Sequence, residues 1–163
     1  MEYVNSFSSQ HTFSAISWFN VILRGREQHC GTTPMDRRAD TLLTAAKMIV
    51  KINEAALSLP GALASVAVIN SSPQSVNTLA STVQFNIDAR ASSDALLAGL
   101  EVKLKEVCTA IAREADVKIE VWDRFWNAPQ TVFNETMVQF VRESAEENGF
   151  AYRELQSGAG HDS

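Results

Sequence analysis

Three histidines and two cysteines are the only imidazole and thiol groups among the 163 residues. Cys30 and Cys108 stand far apart, which excludes a disulfide framework and a paired-cysteine zinc motif. A reduced, cytoplasmic setting is therefore expected. Long apolar runs are missing as well. None approaches the roughly 20 residues needed to cross a bilayer, so no membrane partner is expected. Met1 to Gln10 has no basic segment ahead of an apolar stretch, as a signal peptide would require. Positive charge is in short supply: 14 Lys and Arg face 19 Asp and Glu, a net charge of −5. That balance argues against a nucleic-acid partner, which would call for a basic stripe. There is no internal repeat and no low-complexity segment. What the chain does have is apolar residues, 45% of the total, enough for a packed core and too many for a disordered chain.

Periodicity divides the chain into elements. Ile16 to Arg24 reads as a strand, with Phe19, Val21 and Leu23 alternating against Trp18, Asn20 and Ile22. After a polar loop, Thr33-Pro34 predicts a helix start, Thr33 as the cap and Pro34 as the first helical residue. Its expected buried stripe is Leu42, Ala46, Ile49, Asn53 and Ala56, widened by Leu43 and Val50, and Pro60-Gly61 ends it. Leu63 to Asn70 reads as an apolar strand. Thr82 to Arg90 alternates more cleanly, with Val83, Phe85, Ile87 and Ala89 on one face and Gln84, Asn86, Asp88 and Arg90 on the other. Ser92 or Ser93 caps a second helix with the stripe Leu97, Leu100, Leu104, Val107, Cys108 and Ile111. Val117 to Phe125 is the fourth strand, with Val117, Ile119 and Val121 on one face.

Strand, helix, strand, strand, helix, strand predicts an α+β, ferredoxin-like fold: a four-stranded antiparallel sheet with two helices on one face. The tail follows another plan. Asn134 caps a third helix with Met137, Phe140, Val141 and Ala145 turned to a core. Gly149 stops it, and a short strand, Ala151 to Leu155, leads to Ser157-Gly158-Ala159-Gly160-His161-Asp162. One helix and one strand without a partner look like the partial edge of an α/β domain. The expected division is therefore 1–15 as a connection, 16–125 as the ferredoxin-like domain and 126–163 as part of a second domain.

Few side chains stand out for chemistry. His29 sits in the loop before a capped helix start, where it could donate a hydrogen bond to a developing oxyanion; the plain alternative is a surface-loop histidine. Arg90, on the polar face near a strand end, could hold a carboxylate in a two-bond fork, or could simply pair with Asp88. Asn77 could offer its amide to the same ligand once the chain doubles back, or could serve only its turn. His161, after Gly158 and Gly160, suits a metal ligand, but one histidine cannot hold a metal. Cys30 beside His29 is a poor nucleophile–base pair, because adjacent loop residues seldom face each other.

Three strings change the weight of these readings. His29-Cys30-Gly31-Thr32-Thr33-Pro34-Met35, followed by Arg38 and Asp40-Thr41-Leu42, resembles the His-Ala-Gly-Thr-Thr-Pro-Met motif of the hydantoinase/carbamoylase amidases. Asn77-Thr78-Leu79 running on to Asp88-Ala89-Arg90 resembles that family's Asn followed by a strand ending in Asp-x-Arg. Ser157 to Asp162 looks like its Ser-Gly-Ala-Gly-His-Asp. The matches fall in family order and span roughly Ile16 to Ser163. Cys30 replaces the usual Ala, and Ala80-Ser81 stands where many relatives have Pro-Gly.

The resemblance implies a metal-dependent amidohydrolase cleaving the linear amide C–N bond of N-carbamoyl-L-amino acids or related ureido acids. Trp18, where the allantoate branch tends to carry Arg, leans toward the carbamoyl amino acids. The family has a catalytic domain with two divalent metal ions, zinc or manganese, and an inserted dimerisation lid of four strands and two helices. It implies His29 as a stabiliser of the tetrahedral intermediate, often across the dimer from the partner's metals. It implies Asn77 and Arg90 as binders of the substrate carboxylate, and His161 as a metal ligand. The family's other metal ligands and its acidic general base have no counterpart here, so the chain reads as a fragment, inactive and binding no metal stably by itself. A homodimer through the lid is expected. The competing readings are a non-enzymatic ferredoxin-like dimerisation module binding a small carboxylate, and a nucleic-acid-binding ferredoxin-like domain. The acidic charge counts against the last.

Overall fold

The computed structural model describes residues 6–158. The described elements are β1 (Ser6–Phe13), β2 (Ala15–Arg24), β3 (Gln28–His29), α1 (Thr41–Leu57), β4 (Ala62–Ser72), β5 (Thr78–Leu79), β6 (Thr82–Ala91), α2 (Asp94–Glu114), β7 (Lys118–Ala128), β8 (Thr131–Val132), α3 (Glu135–Glu147) and β9 (Ala151–Ser157). The main sheet has the order β4-β6-β2-β7, antiparallel throughout, with α1 and α2 on one face. This is the ferredoxin-like arrangement that the element order predicts.

Central strand β6 buries Val83, Phe85, Ile87 and Ala89 and turns Gln84, Asn86, Asp88 and Arg90 to the open face, in strict alternation. From β2, Ala15, Ser17, Phe19, Val21 and Leu23 join the core, while Ile16, Trp18, Asn20, Ile22 and Arg24 face away from the helices. Ser93 caps α2 by accepting from the Leu96 N–H at 3.2 Å, and Leu97, Leu100, Leu104 and Cys108 of its predicted stripe are buried.

Two expectations about α1 need correction. Its cap is Asp40, which accepts from the Leu43 N–H at 2.9 Å. Thr33 caps nothing, because Pro34 leads only into a 3-10 turn, Met35–Arg37, before the backbone extends again at Arg38. The buried stripe is Thr41, Thr44, Ala45, Met48, Ile52, Ala55 and Ala56. Of the predicted set only Ala56 is buried, and Leu42, Leu43 and Val50 lie on the exposed side. Small residues face the sheet, so the helix can approach it closely.

β7 departs from simple alternation. Its register against β2 shifts between Ile22 and Leu23 and again between Trp18 and Phe19, leaving Glu120 and Phe125 unpaired. Each bulge adds one residue and reverses the side-chain phase. Val117, Ile119 and Trp122 pack on the core, whereas Val121, expected beside them, pairs with Ile22 on the open face.

The second unit has a partner strand that the sequence reading did not supply. β9 pairs in parallel with β1, which pairs antiparallel with β8, giving the order β8-β1-β9. The Ser14 N–H donates to the Ser157 carbonyl at 2.9 Å where the two units join. Asn134 caps α3, and Gly149, at φ +70°, takes the left-handed turn that ends it. Within α3 only Ala145 is buried. Met137, Phe140 and Val141 line an open groove of about 380 Å³ with Phe150.

Candidate functional site

The His29 loop is built by hydrogen bonds rather than by apolar packing. β3 pairs with β5, His29 opposite Thr78, and the Cys30 N–H donates to the Asn77 carbonyl at 2.8 Å. Arg38 ties the turn from inside. Its Nη2 donates to the carbonyls of Cys30 at 2.5 Å and Thr33 at 2.9 Å, and its Nε to Thr33 at 3.0 Å. Gln28 joins the loop to the start of α1, accepting from the Ala39 N–H at 2.9 Å and donating to the Arg37 carbonyl at 3.1 Å.

This scaffold sets the state of His29. Its Nδ1 accepts from the Gly31 N–H at 3.0 Å, so in the neutral ring the proton belongs on Nε2. The exposed imidazole therefore offers an N–H donor to whatever lies beyond it, as oxyanion stabilisation requires. A Cβ at Gly31 would approach the His29 ring to 3.2 Å, so the missing side chain gives the imidazole its room. Asn77 stands next to the loop, also exposed. Its Oδ1 accepts from Ser75 Oγ at 2.9 Å and Thr78 Oγ1 at 3.3 Å, which leaves the two amide N–H groups as the outward donors.

Arg90 lies elsewhere. The β3–β5 pair continues the β2–β6 ribbon outward beyond Gly25 and Ser81, whose backbones are joined at 2.8 Å. Arg90 sits at the opposite end, opposite Ile16 and Leu63. From Thr82 to Arg90 the strand covers about 26 Å at roughly 3.3 Å per residue. His29 and Asn77 thus share one end of the ribbon, and Arg90 occupies the other. The expectation that the chain doubles back to bring Asn77 to Arg90 does not hold within one molecule.

Arg90 is held side-on. Its Nη2 and Nε donate to the Asp88 carboxylate at 2.6 and 3.0 Å, and Nη1 donates to the Gly158 carbonyl. The bond to Asp88, with its charge, holds the guanidinium proton more firmly than usual, against an opposing contribution from partial burial. These bonds engage three of the five guanidinium N–H groups, which leaves one on each terminal nitrogen for a further acceptor. His161 lies outside the described residues. Among those described, no group of three or more His, Cys, Asp and Glu side chains is placed to hold a metal ion. Nor is any described helix long and apolar enough to cross a membrane.

Sequence reasoning missed two parts of this arrangement. The Gly31 amide's grip on His29 leaves no sequence signal beyond the glycine itself. The other is a group of half-exposed aromatics, Trp18, Phe125 and Trp126, on the open face of the sheet. A bulge hides it by placing Phe125 out of phase.

No family model matches the chain. It is 35% identical over 144 residues to the N-carbamoyl-L-amino-acid amidohydrolase of Paenarthrobacter aurescens, covering 88% of this chain and 35% of that one. To the allantoate amidohydrolase of Escherichia coli it is 30% identical over 145 residues, with the same 88% and 35% coverage. A crystal structure of a hydantoinase/carbamoylase-family amidase from Burkholderia multivorans superposes with a TM-score of 0.88 at 31% identity, over 93% of this chain and 37% of that one. The chain spans about a third of the length of these relatives. Over that third, fold and sequence agree, and the chain belongs to the hydantoinase/carbamoylase amidase family.

Proposed function

We propose that this chain supplies the dimerisation lid of a metal-dependent amidohydrolase acting on N-carbamoyl-L-amino acids or related ureido acids, with residues 126–163 belonging to its catalytic domain. Arg90 clamps the substrate carboxylate through the N–H left on each terminal nitrogen, with Asp88 orienting it. His29 donates from Nε2 to the oxygen that gains charge as the amide carbon becomes tetrahedral. Asn77 adds an amide N–H to the carboxylate. His161 serves as one ligand of a centre of two divalent metal ions, zinc or manganese, whose other ligands would come from elsewhere in the family's catalytic domain.

The observation that carries this reading is the separation of the two ends of the β2–β6 ribbon. A single chain cannot bring His29 and Asn77 to a ligand on its own Arg90, but a two-fold pair can. β4 is an edge strand running from Ala62, opposite Ala91, to Ser72, opposite Thr82. Two copies joined by β4 edges about a two-fold axis lie antiparallel, so one copy's His29 end falls beside the other's Arg90 end. The same edge carries exposed apolar side chains, Leu42 and Leu43 of α1 and Val68 and Ile69 of β4, which a second copy would cover.

The test is a graft. This chain replaces the matching third of the Paenarthrobacter aurescens enzyme, and hydrolysis of N-carbamoyl-L-amino acids is followed. The hybrid should turn over. Arg90→Ala should raise KM far more than it lowers kcat, because the lost bonds, roughly 1.5–3 kcal/mol each, serve mainly uniform binding. Arg90→Lys should not restore it, since an ammonium cannot form the planar fork. A folded, dimeric hybrid whose KM is unchanged by both substitutions rules out the clamp. One that binds the carboxylate without any hydrolysis favours the module reading.

A further inference from the structure

The open face of the main sheet carries an aromatic group that the proposed chemistry leaves unused. Trp18 on β2 stands opposite Trp126 on β7, with ring centroids 4.6 Å apart and planes inclined at 35°. Phe125, displaced by the bulge, brings its ring to 6.1 Å from Trp18. The three are 36%, 41% and 51% exposed for Trp18, Trp126 and Phe125. So much aromatic surface left facing water commonly marks a binding face.

Its position says what it would bind. Trp18 pairs across β2–β6 with Asp88, and Ile16 with Arg90. Trp18 is therefore the diagonal neighbour of Arg90 on the same face, about 7–8 Å away with the Cβ atoms somewhat closer, within reach of long and aromatic side chains. A guanidinium with one N–H left on each terminal nitrogen and an aromatic platform lie one strand apart, in a single chain. An α-amino acid matches that pattern, because its side chain leaves the carbon next to the carboxylate. A carboxylate on those N–H groups would send an aromatic side chain across β2 toward the platform. A small polar ureido acid would leave the three rings wet.

We propose that Trp18, Phe125 and Trp126 form a side-chain subsite beside Arg90 that selects N-carbamoyl or related N-acyl α-amino acids with aromatic side chains. This rests on the carboxylate role given to Arg90 above.

The test uses the 163-residue chain itself, with tryptophan fluorescence and calorimetry as readouts. The probes are N-carbamoyl-L-phenylalanine, N-carbamoylglycine and N-carbamoyl-L-phenylalaninamide. The phenylalanine compound should bind at least about tenfold more tightly than the glycine one, as burial of a ring implies. Phe125→Ala and Trp18→Ala should each remove most of that preference and leave the glycine affinity unchanged. Phe125 is the more exposed of the two, so its variant guards against a folding defect at Trp18. Arg90→Ala should weaken both carboxylates, and the amide should bind poorly. Equal affinities for the phenylalanine and glycine compounds, both dependent on Arg90, overturn the subsite and leave the clamp. Phenylalanine binding that is indifferent to Arg90→Ala and to the amide overturns the clamp, and with it a subsite defined by it. No saturable binding up to about 10 mM overturns both.

Discussion

At the scale of single residues, the chain keeps its two thiols in opposite conditions. Cys30 lies half-buried in the His29 loop, and Cys108 is sealed in the core, where burial pushes its thiol from 9.0 up to about 12. Folding raises this value, so the folded state holds a proton that the unfolded chain starts to release near pH 9. The stabilisation is intact below pH 9 and is lost as pH climbs toward 12. Urea unfolding should show stability falling across that window, with Cys108→Ala removing part of the slope. A thiol reagent at pH 8 should label Cys30 in the native protein and reach Cys108 only through unfolding. Rapid labelling of both in folded protein would contradict the packing. His29 illustrates the limit of residue-by-residue reading. The histidine and its motif stand plainly in the sequence, but the tautomer depends on a backbone N–H two residues away, and no residue type encodes that.

Among the elements, α1 offers the sharpest comparison between two candidate caps. Asp40→Ala removes the acceptor for the Leu43 N–H and should cost about 1 kcal/mol. Thr33→Ala removes a side chain that caps no helix and should stay within about 0.5 kcal/mol. Chemical denaturation of the two variants decides; equal losses would mean that the first turn of α1 is not held as described. The sequence was most legible at β6. A central strand with both neighbours paired and one covered face imposes strict alternation, and Val83 to Arg90 shows it. α1 misled because both its faces carry apolar residues. Periodicity alone could not tell that Thr44, Ala45 and Met48 face the sheet while Leu42, Leu43 and Val50 do not. β7 misled because two bulges reset its phase, and β1 escaped notice because Ser-Phe-Ser-Ser-Gln-His-Thr-Phe carries no apolar alternation.

For the molecule as a whole, the exposed leucines of α1 and the β4 edge mark where a second copy is expected. Sedimentation should show a dimer at micromolar concentrations, and the pair Leu43→Glu with Ile69→Glu should leave monomers with an intact far-ultraviolet spectrum. A monomeric parent chain would refute the pairing. Of the proposed site, the residues were legible in the sequence and their distribution was not, since the spacing of Asn77 and Arg90 along the chain conceals that a whole strand separates them. That separation has a genetic consequence. In the grafted enzyme, Arg90→Ala and His29→Ala chains are each impaired as homodimers at substrate levels well below the raised KM, every site lacking one group. Mixed in equal amounts and allowed to exchange, they form hybrids that combine both lesions in one site and leave the other whole. With random pairing half the dimers are hybrids, so about a quarter of all sites recover: two broken polypeptides complement each other, and neither needs repair.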